Sequence, residues 1–208
     1  ELHNKRGDVP LDIAPLLETV DDLQNGPAIL ESLLSSDLYR KHLKRRDDRQ
    51  MIMIGYSDSN KDGGLASARW ALQNAQEIIV DAAEAQGIEL TLFHGRGGTV
   101  SRGGSKTHVA VMGAPPGTIK GRLRVTEQGE IISSKYSNAD VGRHNLEILA
   151  AATLEASLLQ PKHSAPRDEY IAAMEELSNL AYAAYRNLVY ETEGFEDYFW
   201  ASTVINEI

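Results

Sequence analysis

The stretch Met51-Ile52-Met53-Ile54-Gly55-Tyr56-Ser57-Asp58-Ser59-Asn60-Lys61-Asp62-Gly63-Gly64 decides how the rest of the chain is read. Four apolar residues in succession, without alternation, suit a strand covered on both faces, as in a buried parallel sheet. The polar run from Ser57 to Gly64 then reads as the loop leaving the carboxyl end of that strand. Beyond it, Ala68, Leu72, Ala75, Ile79 and Ala82 recur with a helical period, and Gly87 supplies a C-terminal stop. Ile88 to Phe93 follows as another short buried strand.

Towards the N-terminus, the apolar stretch from Leu11 to Leu17, closed by Glu18 and the polar pair Asp21-Asp22, reads as a strand. Asn25-Gly26-Pro27 opens a helix, with Pro27 suited to its first position. Ile29, Leu30, Leu33 and Leu34 mark one face of that helix, which is expected to run towards Leu43 before the charged corner Lys44 to Arg49. Strand and helix thus alternate, with crossovers long enough for parallel pairing, and the fold class expected is α/β. Downstream, a short helix is expected over His108 to Met112 and a further strand over Leu123 to Val125. Two longer helices are marked by Leu146, Leu149, Thr153 and Leu158, and by Ile171, Met174, Leu177, Ala181, Ala184 and Leu188. No internal repeat, heptad series or low-complexity tract is present.

The 208 residues, 42% hydrophobic and 25% charged, can bury one sizeable core, which excludes a disordered or collagen-like chain. No apolar run is long enough for a membrane span, and Glu1-Leu2-His3-Asn4-Lys5-Arg6 lacks the apolar stretch of a secretory signal, so a soluble, cytoplasmic protein is expected. Cysteine is absent, which excludes disulfides, a thiolate nucleophile and zinc-thiolate sites; a metal would have to sit on oxygen or imidazole ligands. The net charge of −9 argues against a nucleic-acid binder. From Leu90 to Thr126, however, Arg96, Arg102, Lys106, Lys120, Arg122 and Arg124 occur with no Asp or Glu. A cationic island in an acidic chain points to a small anionic ligand; a chance charge run is the plain alternative. The chain opens without methionine and stops at Asn206-Glu207-Ile208 after an aromatic-rich segment, as a piece of a larger protein would.

In a parallel α/β sheet or barrel all strands end on one side, where functional residues gather on the loops. Glu18, Asp58 and His94 each fall at or just past such an end, so one rim is expected to collect all three. Two carboxylates there could hold a hard cation such as Mg²⁺, which takes one or two protein carboxylates and completes its shell with water and substrate oxygens. A salt-bridged Glu18 and an Asx-turn at Asp58 are the structural alternatives. Asp58, Asn60, Asp62 and Gly63 also imitate the opening of a calcium loop. Position twelve would then be Arg69, where a bidentate Glu is required, and a strand rather than a helix precedes the run, so that reading is rejected. His94-Gly95-Arg96-Gly97-Gly98-Thr99-Val100-Ser101-Arg102-Gly103-Gly104 combines glycines that admit a ligand close to the backbone with two guanidinium forks matched to phosphate or carboxylate. It fits neither a Walker loop nor a dinucleotide fingerprint. An anion-binding loop or a flexible linker would both have this composition.

Residues 52–64 resemble the lysine-containing active-site signature of the phosphoenolpyruvate carboxylases, and Phe93 to Gly104 resembles that family's mobile glycine-arginine loop, in the family's order and spacing. Further similarity runs through Pro15 to Leu23, Arg122 to Glu130 and the helical tail. The resemblance implies part of a much larger enzyme that condenses phosphoenolpyruvate with bicarbonate to oxaloacetate and phosphate, using Mg²⁺ or Mn²⁺, usually as a homotetramer. The fold implied is part of a TIM-like (β/α)8 barrel with parallel strands over residues 1–130, which carry the metal and anion loops. Residues 131–208 would be a mainly helical extension in the same unit.

Position by position, the resemblance makes Glu18 and Asp58 the metal carboxylates. Arg96 would bind the phosphate side of the substrate, with Gly97, Gly98 and Arg102 in the same loop, and Lys61 and His94 would line the pocket. Arg102 belongs to the loop that, in many members, also captures the inhibitors aspartate or malate. The family's catalytic histidine motif and its arginine-rich C-terminal segment are absent from these 208 residues, so the chain alone is expected to be inactive. His94 is a different histidine. Other readings are a different Mg²⁺-dependent lyase or phosphotransferase acting on phosphoenolpyruvate or another enolate, and a non-catalytic module that binds a dicarboxylate.

Overall fold

In a computed structural model, describing residues 11–95, 106–127, 129–158 and 168–207, four strands form one parallel sheet. They are β1 (Leu16–Leu17), β2 (Arg49–Gly55), β3 (Glu89–Gly95) and β4 (Arg124–Val125), in the order β1-β2-β3-β4. Leu17 lies opposite Ile54, Ile54 opposite His94, and His94 opposite Val125, so the strands reach their carboxyl ends together. The α/β class expected from the sequence is therefore present, although helix exceeds strand in the described residues.

Three helices connect β1 to β2: α1 (Val20–Gln24), α2 (Gly26–Leu34) and α3 (Asp37–Lys44). Two more, α4 (Ser57–Gly63) and α5 (Leu65–Ala85), connect β2 to β3, and α6 (Thr107–Met112) precedes β4. One face of the sheet, with Ile52, Ile54 and Leu92, packs against Leu30 and Leu34 of α2 and against Leu72, Ala75, Ile79 and Ala83 of α5. Ile54, Leu30 and Ile79 are completely enclosed, and a fully buried aliphatic side chain stabilises by about 1.5–3 kcal/mol relative to exposure. The opposite face, with Met51, Met53, Thr91 and Phe93, is only half-buried. The apolar run of β2 thus has one fully packed face.

Helices dominate the C-terminal part: α7 (Gly129–Tyr136), α8 (Ala139–Leu158), α9 (Asp168–Arg186), one π-helical turn (Asn187–Glu191) and α10 (Phe195–Ser202). A second, smaller core joins α6 to α8 through Val111, Ile119 and Ala152. Helix α9 packs on α5 and reaches α4. No described helix is long and apolar enough to cross a membrane.

Several local expectations are corrected. Only Leu16 and Leu17 of the expected strand Leu11 to Leu17 join the sheet, and Leu11 and Ile13 are exposed. The lead-in is instead held by isolated contacts, the Gln50 amide donating to the Ile13 carbonyl and Met53 N to the Pro15 carbonyl, because Pro15 has no N–H for a ladder. The helix expected from Gly26 towards Leu43 divides at Ser35-Ser36, where the Ser36 hydroxyl accepts Tyr39 N and caps α3. Asp21 and Asp22 belong to α1, closed by a reciprocal cap: Asp22 N donates to Thr19 Oγ1 and Thr19 N to Asp22 Oδ2. The expected loop from Ser57 to Gly64 is mostly helix α4, tied to β2 by the buried Ser59 hydroxyl, which donates to the Gly55 carbonyl at 2.7 Å. The strand expected over Leu123 to Val125 is confined to Arg124 and Val125.

Candidate active site at the carboxyl rim of the sheet

The common register of the four strands creates a rim on which Glu18, Gly55, Gly95 and Thr126 are the next residues beyond the line Leu17–Ile54–His94–Val125. Gly55 allows a close backbone approach there. A Cβ on it would sit 3.2 Å from Glu18 Cα and 3.3 Å from the Leu17 carbonyl oxygen, so a side chain would press on the backbone that presents Glu18. Asp58 stands in the first turn of α4, and Lys61 one turn later places Nζ 2.9 Å from Asp58 Oδ1. That hydrogen bond and the Asp58 charge raise the Lys61 pKa, the Glu18 charge adding to them against a small desolvation effect. Glu18, Asp58 and Lys61 therefore share one electrostatic neighbourhood at the ends of β1 and β2.

His94 lies just beneath the rim, on the same strand face as Leu92, with 1% of its surface exposed. Its Nδ1 shares a 2.9 Å hydrogen bond with the Tyr56 hydroxyl, and its carbonyl accepts Thr126 N at 3.1 Å. The Arg69 guanidinium lies 5.4 Å from the centre of the Tyr56 ring. Arg96, Gly97, Gly98 and Arg102 lie outside the described residues.

Among the described residues, the cations of the island do not form one surface. Lys120 pairs with Glu84, and Arg122 with Glu89 at 2.7 Å, where β3 begins, at the end of the sheet away from the rim. Arg124 lies over Phe93, 4.6 Å from the ring centre, with Nη1 3.5 Å from Met51 Sδ. Charge counting along the chain could not separate these structural pairs from residues near the rim. A cavity of about 1070 Å³ also opens at that far end, between Arg49, Arg122, Leu149 and Thr153, so cavity size does not mark the rim.

Two rim features escaped the sequence reading. Glu127, just past β4, accepts Lys135 Nζ at 2.5 Å and borders the Tyr136 hydroxyl, whose pKa is raised by burial and then by Glu127. The rule that acids past strand ends collect on one rim would have found it. Asp62 lies in the last turn of α4, where its Oδ2 accepts Val20 N at 3.0 Å and its Oδ1 accepts Arg186 Nη1 at 3.1 Å. Arg186 is 124 residues away, and no local pattern announces that pairing.

The donor set suits a hard cation. Glu18 and Asp58 offer carboxylate oxygens, and the Lys61 ammonium already stands as a cation against them. No group of three or more His, Asp or Glu side chains placed to hold one metal ion occurs among the described residues, so a cation would complete its shell with water or ligand oxygens. The rejected calcium loop stays rejected, since Asp58, Asn60 and Asp62 lie on a helix.

The family profile described as phosphoenolpyruvate carboxylase matches residues 1–208. Among curated relatives, a phosphoenolpyruvate carboxylase of Bradyrhizobium diazoefficiens is 60% identical over 198 residues, covering 95% of this chain and 21% of that protein. One of Azorhizobium caulinodans is 52% identical over 202 residues, 97% and 22% of the two chains, and one of Aromatoleum aromaticum is 50% identical over 207 residues, 99% and 22%. The chain spans about a fifth of the length of these relatives. Matched over its whole length, with the signature around Asp58 and Lys61 on the rim, the chain belongs to the phosphoenolpyruvate carboxylase family.

Proposed function

We propose that these residues form the metal and phosphate side of the site at which a longer polypeptide converts phosphoenolpyruvate and bicarbonate to oxaloacetate and phosphate. The observation that carries this reading is the juxtaposition of Glu18, Asp58 and Lys61 at the ends of β1 and β2. The unbroken order β1-β2-β3-β4, with no reversal of direction, supports an arc of a (β/α)8 barrel over residues 1–130. Packing of α9 on α5 supports counting residues 131–208 with the same unit.

In this reading Glu18 and Asp58 hold Mg²⁺ or Mn²⁺, which supplies Lewis-acid stabilisation of negative charge on an enolate oxygen. A bicarbonate oxygen attacks phosphorus, the bond from phosphorus to the enol oxygen breaks, and carboxyphosphate and the enolate result. Arg96 offsets charge on the transferring phosphoryl group, with Gly97, Gly98 and Arg102 beside it. Carboxyphosphate then divides into CO₂ and phosphate, and the enolate carbon forms its new bond to CO₂. Lys61 orients anionic substrate oxygens beside Asp58, and His94, held by Tyr56, braces the start of the glycine-rich segment. Arg102 also takes dicarboxylate effectors such as aspartate or malate. The full protein is a cytoplasmic homotetramer, and the 208 residues alone form no oxaloacetate.

Calorimetric titration of the chain with Mn²⁺, with and without phosphoenolpyruvate, tests the site. Binding that phosphoenolpyruvate strengthens and Asp58→Asn abolishes is the expected result. Binding indifferent to Asp58→Asn overturns the assignment of Asp58.

A further inference from the structure

Helix α4, which carries Asp58 and Lys61, is gripped from a distant part of the chain. Two tyrosine hydroxyls converge on one acceptor: Tyr185 Oη donates to the Lys61 carbonyl at 2.8 Å and Tyr190 Oη to the same oxygen at 2.9 Å. Between them Arg186 sends Nη1 to the Asp62 carboxylate at 3.1 Å and to the Asp62 carbonyl at 3.3 Å, while its guanidinium lies 4.0 Å from the centre of the Tyr190 ring. The other Asp62 oxygen accepts Val20 N, two residues beyond Glu18. Asp62 is thereby the node that joins the end of β1, the last turn of α4 and the end of α9.

The backbone of the gripping segment is built for this. In an α-helix residues five apart point about 140° away from each other, so Tyr185 and Tyr190 could not share an acceptor. The π-helical turn Asn187–Glu191 closes i to i+5 bonds and brings both hydroxyls to one side. The receiving surface is equally specific. A Cβ on Gly63 would lie 3.0 Å from Tyr182 Cδ2 and 2.8 Å from Val20 Cγ2, and one on Gly64, whose φ is +79°, would lie 2.9 Å from Tyr185 Cγ. The glycine pair that ends the Asp58–Lys61 motif is the landing surface for α9.

We infer that Tyr185, Arg186 and Tyr190 are positioning residues, a clamp that sets the relative placement of Glu18 and Asp58 by holding α4 against the start of α1. The inference rests on the reading of Glu18 and Asp58 as a cation site. None of the three clamp residues touches the cation or substrate in this scheme. Their effect passes through the Lys61 carbonyl and the Asp62 node.

The test uses the 208-residue chain and its variants Arg186→Gln, Arg186→Lys and Tyr185→Phe/Tyr190→Phe, with two readouts. In hydrogen exchange, Arg186→Gln is expected to release the amides of Val20 and Gly64 by about tenfold while Ile79 in α5 stays protected, the size of one charge-assisted hydrogen bond. In Mn²⁺ titration followed by electron paramagnetic resonance, the same variant weakens binding by about three- to tenfold and Arg186→Lys, which keeps the charge, recovers part of it. Unchanged exchange at Val20 and Gly64 overturns the clamp, and this readout needs no bound cation. Mn²⁺ binding that falls in Asp58→Asn but not in Arg186→Gln overturns the clamp and leaves the site standing. Mn²⁺ binding unaffected by Asp58→Asn and Glu18→Gln overturns the site, and with it the role given to the clamp.

Discussion

Tyr56 Oη and His94 Nδ1, 2.9 Å apart, join the ends of β2 and β3 directly below the rim, with 6% and 1% of their residue surfaces exposed. Removing one partner of a buried hydrogen bond leaves the other without its match, at about 1–3 kcal/mol. Tyr56→Phe keeps the ring and removes only the bond. Urea unfolding is expected to show a loss in that range, and the His94 ring nitrogen shifts should move, since the partner at Nδ1 fixes the tautomer. A Tyr56→Phe chain of wild-type stability, with unmoved ring shifts, would mean that the bond holds nothing.

At the far end of β2, the Tyr39 hydroxyl donates to Gln50 Oε1 at 2.5 Å, and the Gln50 amide donates to the carbonyls of Ile13 and Met51. Burial raises the Tyr39 pKa above its ordinary value, and the Asp12 charge adds to it. The fold therefore favours the neutral phenol. Its contribution is complete below the ordinary tyrosine pKa of about 10 and disappears as pH rises through the higher folded value. Tyr39→Phe should lower stability by about 1–3 kcal/mol at pH 8, and the gap from wild type should narrow above pH 10. A gap constant from pH 8 to 11 in urea midpoints would sink this account.

How much of this could be read in the chain follows from the range of each interaction. Met51 to Ile54, the 65–85 helix and the strand β3 announce themselves through short-range apolar patterning, and the placement of Glu18 and Asp58 on one rim follows from parallel topology alone. The polar run at Ser57 reads as a loop because Ser, Asp, Asn and Gly favour turns locally. Its helical form depends on Ser59 bonding back to Gly55 and on tyrosines more than 120 residues away. For the same reason the separation of Lys120 and Arg122 from the rim was hidden, since their partners Glu84 and Glu89 lie on α5 and β3.

Gly64 joins α4 to α5 with φ +79° and ψ 168°, outside the region that L side chains favour, and a Cβ there would meet the Tyr185 ring at 2.9 Å. Gly64→Ala combines backbone strain of about 1–3 kcal/mol with displacement of Tyr185. Thermal unfolding should report a loss of at least that size, whereas Gly87→Ala, also at positive φ (+68°) but with open space around it, should lose only a strain contribution. Equal losses in the two variants would show that Tyr185 yields freely and that the close approach at Gly64 has no energetic weight.

Lys61 places a positive charge where a bound cation would have to enter, 2.9 Å from Asp58 Oδ1 and within the field of Glu18. Its side chain is mostly exposed, so its repulsion of an incoming cation is that of charges a few ångströms apart in water, about 1 kcal/mol for each unit charge at 4 Å. Lys61→Gln should therefore tighten Mn²⁺ binding by roughly fivefold or more in low salt, with the gain shrinking as ionic strength rises. The same substitution removes the ammonium proposed to orient anionic substrate oxygens, so the strengthening of Mn²⁺ binding by phosphoenolpyruvate should fall. The two effects have opposite signs, and calorimetry with and without phosphoenolpyruvate separates them. If Lys61→Gln leaves Mn²⁺ affinity unchanged, the cation does not enter beside Lys61. If affinity rises but the phosphoenolpyruvate effect persists, Lys61 acts only as the counter-charge of the carboxylates, and anion recognition belongs to other residues.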